Sequence, residues 1–323
     1  MVEIICPALQ WAKSDLLPAK NMHVISHEKV THTTYSIVYK INTENDVVYL
    51  KQVPRELFLE ARILSFFGKQ GFKHIPELIG QNDELNCFVM RSAGDQSLRQ
   101  IFNGKIDINP LKQGIINYTK IQRRLEDKAR QLLSLGAHDW QLNQFSEKYR
   151  ELIEDERLLL NDGVTQDELK ALHQLSPKCI SLCEDLAQYQ IPETLNHCDF
   201  HENNMLYDNQ TGNINIIDWG EVAITHPFFS LCGFLWNVRH FYHVTESDSI
   251  YQALKLSCIK PWLDLYSEKI LLDCLDIADK LNGVFAALAY AHLYKVTQYQ
   301  DKSVAKEHHG AIAGCLRTFL RVH

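Results

Sequence analysis

Residues Leu195–Trp219 read LNHCDFHENNMLYDNQTGNINIIDW. The first ten residues put His197, Asp199 and Asn204 on one short segment. A turn composition follows at DNQTGN, then the β-rich run Asn213 to Ile217, which delivers a second acid, Asp218. Loops rich in Asp and Asn are common as turns. The order is more restrictive: H-x-D, Asn five residues after the Asp, a hairpin-like break, then an apolar strand ending in D-W.

That order fits phosphoryl transfer. The reaction needs a residue to orient the attacking hydroxyl and accept its proton, metal ligands to neutralise phosphates, and a cation on the nucleotide. In the kinase template a catalytic-loop Asp is followed five residues later by a metal-binding Asn, and a second acid follows a strand pair. Asp199 then belongs beside the acceptor hydroxyl, and Asn204 and Asp218 hold Mg²⁺. His197 reads as a buried organiser of the loop, Cys198 as packing. His201 touches a phosphate or substrate, or else satisfies the loop backbone.

The remaining parts should lie upstream. TTYSIVYKI and VVYLKQV, separated by NTEND, read as a hairpin. Lys51 ends the second run, where a lysine is awkward unless it has work to do or points to water. A carboxylate on the next helix, RELFLEARILSFFGKQG, should keep it charged and aimed. Glu56 and Glu60 are the candidates, and Glu60 lies further into the helix. Leu57, Ile63, Leu64 and Phe67 recur at helical spacing, with Gly68 as the stop. PELIG and LNCFVMR follow as two more strands. The run FVMRSAG then offers backbone groups around Met90 and Arg91 to an adenine edge, with Phe88 and Met90 as apolar neighbours.

After Arg91 the character changes to helical: 110–135 with Gly136 as cap, 143–160, 166–187, and from His226 onward with breaks near Ser247–Ser249, Pro261 and Asp301. Pro7–Leu17 reads as a short helix ending before Pro18. The expected architecture is α+β and bilobal: a small β-rich nucleotide-binding lobe over 1–91, and a helical lobe over 92–323 with the catalytic loop and acceptor site. At 323 residues, 46% hydrophobic and 23% charged, the chain can bury a sizeable core.

Forty acids against 33 bases disfavour a nucleic-acid partner and are compatible with a cationic acceptor. The nine cysteines form no C-x-x-C pair and several lie in apolar helical patterns, so buried free thiols are expected. The start lacks a signal-peptide pattern, and GVFAALAYAHLY is too short to span a bilayer. A cytoplasmic protein without membrane partners is expected.

With these residues in place, the chain resembles the aminoglycoside phosphotransferase and choline kinase-like family over roughly residues 22 to 240. HCDFHENN is similar to its H-G-D-x-H-x-x-N loop, and IIDWGEVAITHPFFSL to its I-D-W segment with a later proline. LEARILSFFGKQGFKHIPELIG and FVMRSAGDQSL resemble its helix and linker. The resemblance implies a bilobal protein kinase-like fold and ATP- or GTP-dependent phosphorylation of a small-molecule hydroxyl. It also implies Asp199 as catalytic base, magnesium on Asn204 and Asp218, and Lys51 on the nucleotide phosphates. Three departures stand out. The first glycine is Gly68, so HEKVTHTTYS replaces a Gly-rich loop, with Ser26, Thr31, Thr33 and Thr34 as small hydroxyl residues. Ser230 stands where relatives commonly have Asp, and Cys198 replaces the loop's Gly.

Two other readings compete. A protein kinase would carry Arg after His197 and an A-P-E segment after Asp218; neither occurs. A catalytically impaired binding module would account for the missing glycines, against the presence of Lys51, Glu60, Asp199, Asn204 and Asp218. HEKVTH spaces its histidines five apart, not the four of a zinc helix, and His308–His309 reads as solvated. For the acceptor, Trp236, His240 and Tyr242 lie after the D-W segment and Tyr290 and Tyr294 on a later helix; each reads as core more readily than as a contact. Aminoglycoside, choline or another amino alcohol, and sugar-like hydroxyls all remain open.

Overall fold

The computed structural model describes residues 6–33, 35–298 and 308–323. Thr34 and the expected break at Asp301 lie outside them. Five strands form one antiparallel sheet: β1 (Val24–His32), β2 (Ile37–Thr43), β3 (Val47–Gln52), β4 (Leu78–Asn82) and β5 (Cys87–Arg91), in the order β1-β2-β3-β5-β4. The β2–β3 hairpin pairs Ile37 with Gln52 and Val38 with Lys51 across the NTEND turn. β1 is the strand that sequence reading leaves out. It is an edge strand, mostly exposed, and carries His, Glu and Lys where an apolar alternation would reveal it.

Side chains divide by strand parity. Val48, Leu50, Cys87 and Val89 pack outward on an N-terminal helical segment through Ala8, Leu9, Ala12 and Leu17. Phe88 and Val53 face the other way, onto the helix Leu59–Lys69 and into the core of the helical part. That helix runs through Gly68, and Gly71, at φ +65°, makes the turn beyond it. The N-terminal segment runs past Pro18 to Ala19, because a wide π turn, Ala12–Leu16, carries the Leu17 N–H back to the Ala12 carbonyl.

The helical part begins with β6 (Gln96–Ser97) and Leu98–Phe102, where Ser97 and Gln100 form a capping box. The expected 110–135 helix is two, Ile108–Arg124 and Ala129–Leu135, the second capped by left-handed Gly136. After β7 (His138–Asp139), the 143–160 and 166–187 stretches each divide as well, into Leu142–Glu154 with Glu156–Asn161 and Gln166–Gln174 with Ser176–Gln188. Caps at Asp155 and Thr165 start two of these. Next come β8 (Thr194–His197), β9 (Met205–Tyr207), β10 (Ile214–Ile216) and β11 (Val222–Thr225). They form two small sheets, β10-β9-β6 and β7-β11-β8. Helices Phe228–Tyr242, Ser249–Ile259, Glu268–Gln298 and Ala311–Arg321 follow, with Pro261 in a 3₁₀ turn. Among the described residues no helix is long and apolar enough to cross a membrane.

All nine cysteines are free thiols, six of them buried. His308 corrects the solvated reading. Its ring lies 5.8 Å from both Tyr35 and Tyr290, and its Nε2 is shielded from solvent.

Gly283 lets the last two helices approach closely. A Cβ there would lie 2.5 Å from the Cys315 carbonyl oxygen and 2.9 Å from the Phe319 nitrogen. Gly283→Ala should therefore destabilise by about 1–3 kcal/mol, read as a lower urea midpoint at unchanged slope. An unchanged midpoint would refute this account of the packing.

Candidate active site

The β7-β11-β8 sheet and the helix Ile108–Arg124 build the floor of the site. Gln122 donates from Nε2 to the carbonyls of Leu195 (3.1 Å) and Pro227 (2.9 Å), tying that helix to β8 and to the start of Phe228–Tyr242. Tyr118 is fully buried; its hydroxyl donates to Ser230 Oγ (2.8 Å) and accepts from the His197 N–H (2.9 Å). Ser230 in turn donates from N and Oγ to Asn196 Oδ1 (3.1 and 2.9 Å). The departure at Ser230 is thus met by a neutral buried network in which each hydroxyl is satisfied.

Across this floor, His197 organises the loop. Its Nδ1 accepts the Asp199 N–H at 3.1 Å, so the proton sits on Nε2, which meets the Ile217 carbonyl at 2.9 Å. Both nitrogens are used by the neutral ring. Burial lowers its pKa, outweighing the Ile217 bond and the nearby Asp199 charge. His197 therefore couples the Asp199–Asn204 loop to the strand that leads into Asp218.

Asp199 is the exposed member, with 57% of its side chain accessible. Its Oδ1 lies 3.0 Å from His201 Nε2, and Asn204 Nδ2 donates to its carbonyl and to Oδ2 at 2.9 and 3.0 Å. Desolvation by surrounding protein pushes its carboxyl up, but the His201 and Asn204 hydrogen bonds and the neighbouring histidines leave it below the ordinary value. His201 serves the loop backbone as well, accepting the Asn203 N–H on Nδ1 at 3.1 Å.

The small sheet contributes Lys51. Its Nζ lies 2.7 Å from Glu60 Oε2 and 2.5 Å from Asp218 Oδ1, the latter across 167 residues of chain. Glu60 is the acid that Lys51 reaches; it is 1% exposed, and its other oxygen accepts the Trp219 N–H at 3.2 Å. Desolvation lowers the Lys51 pKa, but the two carboxylates more than reverse this and hold the ammonium charged. Asp218 is held low chiefly by Lys51, and burial raises Glu60 against the Lys51 charge. Asp218 adopts a left-handed backbone, φ 66°, which bends the chain so that β10 and the Trp219 anchor continue on either side.

For a metal, Asn204 and Asp218 supply side-chain oxygens, and Asp199 lies on the same loop. Among the described residues no group of three or more His, Cys, Asp or Glu converges as a metal cage. A sparse oxygen set suits Mg²⁺, which retains water and takes phosphate oxygens as ligands. The Thr33–Ser36 turn between β1 and β2 is closed by Ser36 N–H to Thr33 Oγ1 at 3.0 Å and Thr33 N–H to the Ser36 carbonyl at 2.9 Å. Ser26 is engaged by Asn42, which donates to its Oγ at 2.8 Å.

Other expected site residues are placed less directly. Met90 is half-buried against the main core. The Arg91 guanidinium pairs with Asp46 and, at 2.9 Å, with Glu77, which hold it to the sheet's end. The linker beyond is strapped to β9: a Cβ on Gly94 would lie 2.8 Å from both Leu206 Cβ and the Tyr207 carbonyl. Tyr242 reaches the loop after Asp199, donating to Glu202 Oε1 at 3.2 Å beside Arg99. Trp236 and His240 stack on one another at 4.8 Å on the surface, Trp236 being 44% exposed, so the core reading fails for these two. Sequence reading missed Glu221, whose carbonyl accepts the Cys198 N–H at 3.0 Å and whose carboxylate lies 3.4 Å from His292 Nδ1. Its only sequence signal is a second acid just past D-W.

A family model described as the phosphotransferase enzyme family matches residues 35–255. No curated protein sequence matches the chain. Among solved structures the chain is similar to an ethanolamine kinase from Plasmodium vivax (12% identity, 98% of this chain and 87% of that one, TM-score 0.65). It is similar to the choline kinase LicA from Streptococcus pneumoniae (14%, 97% and 99%, 0.61). It is also similar to APH(2")-IIia in a complex with GDP and kanamycin (13%, 97% and 100%, 0.60). At these identities the likeness establishes a kinase-like fold.

Two outcomes follow from the charges. Lys51→Ala strands Glu60 without its counter-ion and should cost about 3–5 kcal/mol in urea unfolding; Glu60→Gln on that background should restore most of it. Failure of the second change to rescue would argue against the pair. Secondly, His138 and His226 are pulled down to about 3 by burial, and His197 is lowered too. Between about 3 and 6.5 the unfolded chain binds more protons at these sites. Their stabilising effect is complete above pH 6.5 and declines as pH falls, by up to about 1.4 kcal/mol per pH unit per histidine. Urea titrations at pH 7.5 and 5.5 should show the loss, and His226→Leu should flatten the slope by about one proton.

Proposed function

Since the chain belongs to the phosphotransferase enzyme family, we propose that it moves the γ-phosphate of ATP or GTP to a hydroxyl of a small molecule. The observation that carries this is Lys51 held by Glu60 on one side and Asp218 on the other, with Asp199 and Asn204 on the loop that His197 ties to Asp218. Residues 1–91 form the nucleotide lobe and 92–323 the catalytic and acceptor lobe in this reading. The base lies against the linker near Met90 and Arg91.

Asp199 receives the proton of the acceptor hydroxyl. Its lowered pKa keeps it ionised at neutral pH, and the His201 and Asn204 bonds fix its direction. A weak base is adequate, because the loose transition state of phosphoryl transfer asks for orientation more than for early proton abstraction. Lys51 meets the nucleotide phosphates, and Glu60 keeps its ammonium aimed. Asn204 and Asp218 are the residues that would hold Mg²⁺, whose bound charge neutralises phosphate oxygens. Hydroxyl-bearing cations such as choline, protonated ethanolamine and protonated aminoglycosides are the leading acceptors, by likeness to the kinases named above.

Asp199→Ala should lower kcat by roughly 10²–10⁴ with little change in thermal midpoint, since its carboxylate is exposed. The measurement is nucleotide consumption across a set of small hydroxyl compounds and aminoglycosides. Turnover like that of the unmodified chain with a genuine acceptor would overturn the mechanism.

A further inference from the structure

The linker after β5 is tied by side chains to the segment that carries Asp199 and Asn204. The Ala93 carbonyl accepts from Asn215 Nδ2 at 2.5 Å, and Asp95 Oδ2 accepts the Asn209 N–H at 2.8 Å. Ser97 Oγ donates to Asn203 Oδ1 at 3.0 Å, and Arg99 Nε donates to Glu202 Oε1 at 2.7 Å. The last two ties enter the loop itself, at the 3₁₀ turn Glu202–Asn204.

Glu202 is the unusual member. Its carboxylate is 0% exposed, against 57% for Asp199 three residues earlier. Oε1 takes the bonds from Arg99 and from the Tyr242 hydroxyl, and Oε2 is buried with no partner among the described residues. A carboxylate held in this way relies on its one cation. Arg99 is itself fixed. Its guanidinium lies 4.2 Å over the Phe241 ring, and the Ser97–Gln100 capping box starts the helix that carries it. Tyr242 packs edge-on against Phe102 of that same helix, with centroids 6.1 Å apart. The linker helix and the end of Phe228–Tyr242 therefore dictate where the carboxylate sits.

Glu202 stands between the two side chains that hold Asp199. His201 Nε2 lies 3.0 Å from Asp199 Oδ1, and Asn204 Nδ2 donates to Oδ2 at 3.0 Å. The Asn204 N–H closes the turn on the His201 carbonyl at 3.0 Å. A displacement at Glu202 moves both groups together, and a misplacement of about 1 Å at a reacting centre costs on the order of a hundredfold in rate.

We propose that Arg99 and Glu202 are positioning residues: their buried ion pair fixes the 201–204 turn to the linker helix, and so sets the direction of the Asp199 carboxylate and of the Asn204 oxygen offered to magnesium. This rests on the phosphotransferase reading and adds to it two residues that act without meeting either substrate.

The test compares variants of the full chain in two measurements. One is calorimetric ADP affinity with and without magnesium; the other is ATP turnover with ethanolamine, choline or kanamycin supplied. Arg99→Met should leave metal-free ADP affinity and the KM for ATP within about twofold, remove most of the gain that magnesium gives, and lower kcat by about ten- to hundredfold. Arg99→Lys should fall between. Arg99→Met also strands a buried charge, so its thermal midpoint should drop. Adding Glu202→Gln removes that charge and should restore the midpoint without restoring kcat or the magnesium gain. Recovery of both along with the midpoint would reduce the pair to a structural role and overturn the proposal, as would an Arg99→Met chain with both unchanged. Loss of the magnesium gain in Arg99→Met, from a chain that consumes no ATP with any acceptor, would sink the phosphotransferase reading alone. An unmodified chain whose ADP affinity ignores magnesium would overturn the two together.

Discussion

Everything else in the site is arranged around one ammonium group caught between two carboxylates. Lys51 comes from the sheet, Glu60 from the helix laid across it, and Asp218 from a strand end far along the chain. Taking the Lys51 ammonium and the Glu60 carboxylate largely out of water is costly, and it is sustained only because Glu60 and the half-exposed Asp218 face the cation at hydrogen-bond distance and Glu60 takes a further bond from the Trp219 amide. The geometry is therefore self-checking. If the helix slid by a turn, the buried Glu60 would lose its counter-ion; if the Asp218 backbone left its left-handed conformation, Lys51 would keep only one of its two carboxylates.

The loop depends on the same economy in neutral form. His197 uses both ring nitrogens, one for the Asp199 amide and one for the Ile217 carbonyl, and so transmits the position of the strand before Asp218 to Asp199. Tyr118 and Ser230 fix the strand from beneath. The exposed carboxylate of Asp199 is thus positioned by buried groups beneath it.

Much of this was legible in the chain. Asp199, Asn204 and Asp218, read from spacing, and Lys51 and Glu60, read from a strand end and a helix position, form two contact groups that His197 links, because covalent neighbours on a tight loop and a lysine late in a strand carry their own geometric signal. What was hidden had physical reasons. β1 is an edge strand whose exposed side chains follow no apolar alternation. Breaks within the long helical stretches are set by caps at Asp155 and Thr165 that look like ordinary surface residues. The pairing of Glu221 with His292, 71 residues away, is one that no local pattern encodes. Trp236 looked like core by composition, yet its neighbour on the surface is a histidine four residues on.

The partition of the apolar interior has a consequence for how the molecule comes apart. The helix bearing Glu60 shares its core with the large helical part, whereas the outer face of the sheet is sealed by a separate, small cluster with the N-terminal segment. Cooperative units need not follow lobes. The N-terminal segment can detach in a sub-global opening that costs only the small cluster and leaves the Glu60 helix seated. The outer cover of the five-stranded sheet would then exchange its amide protons well before the helix packed on its inner face.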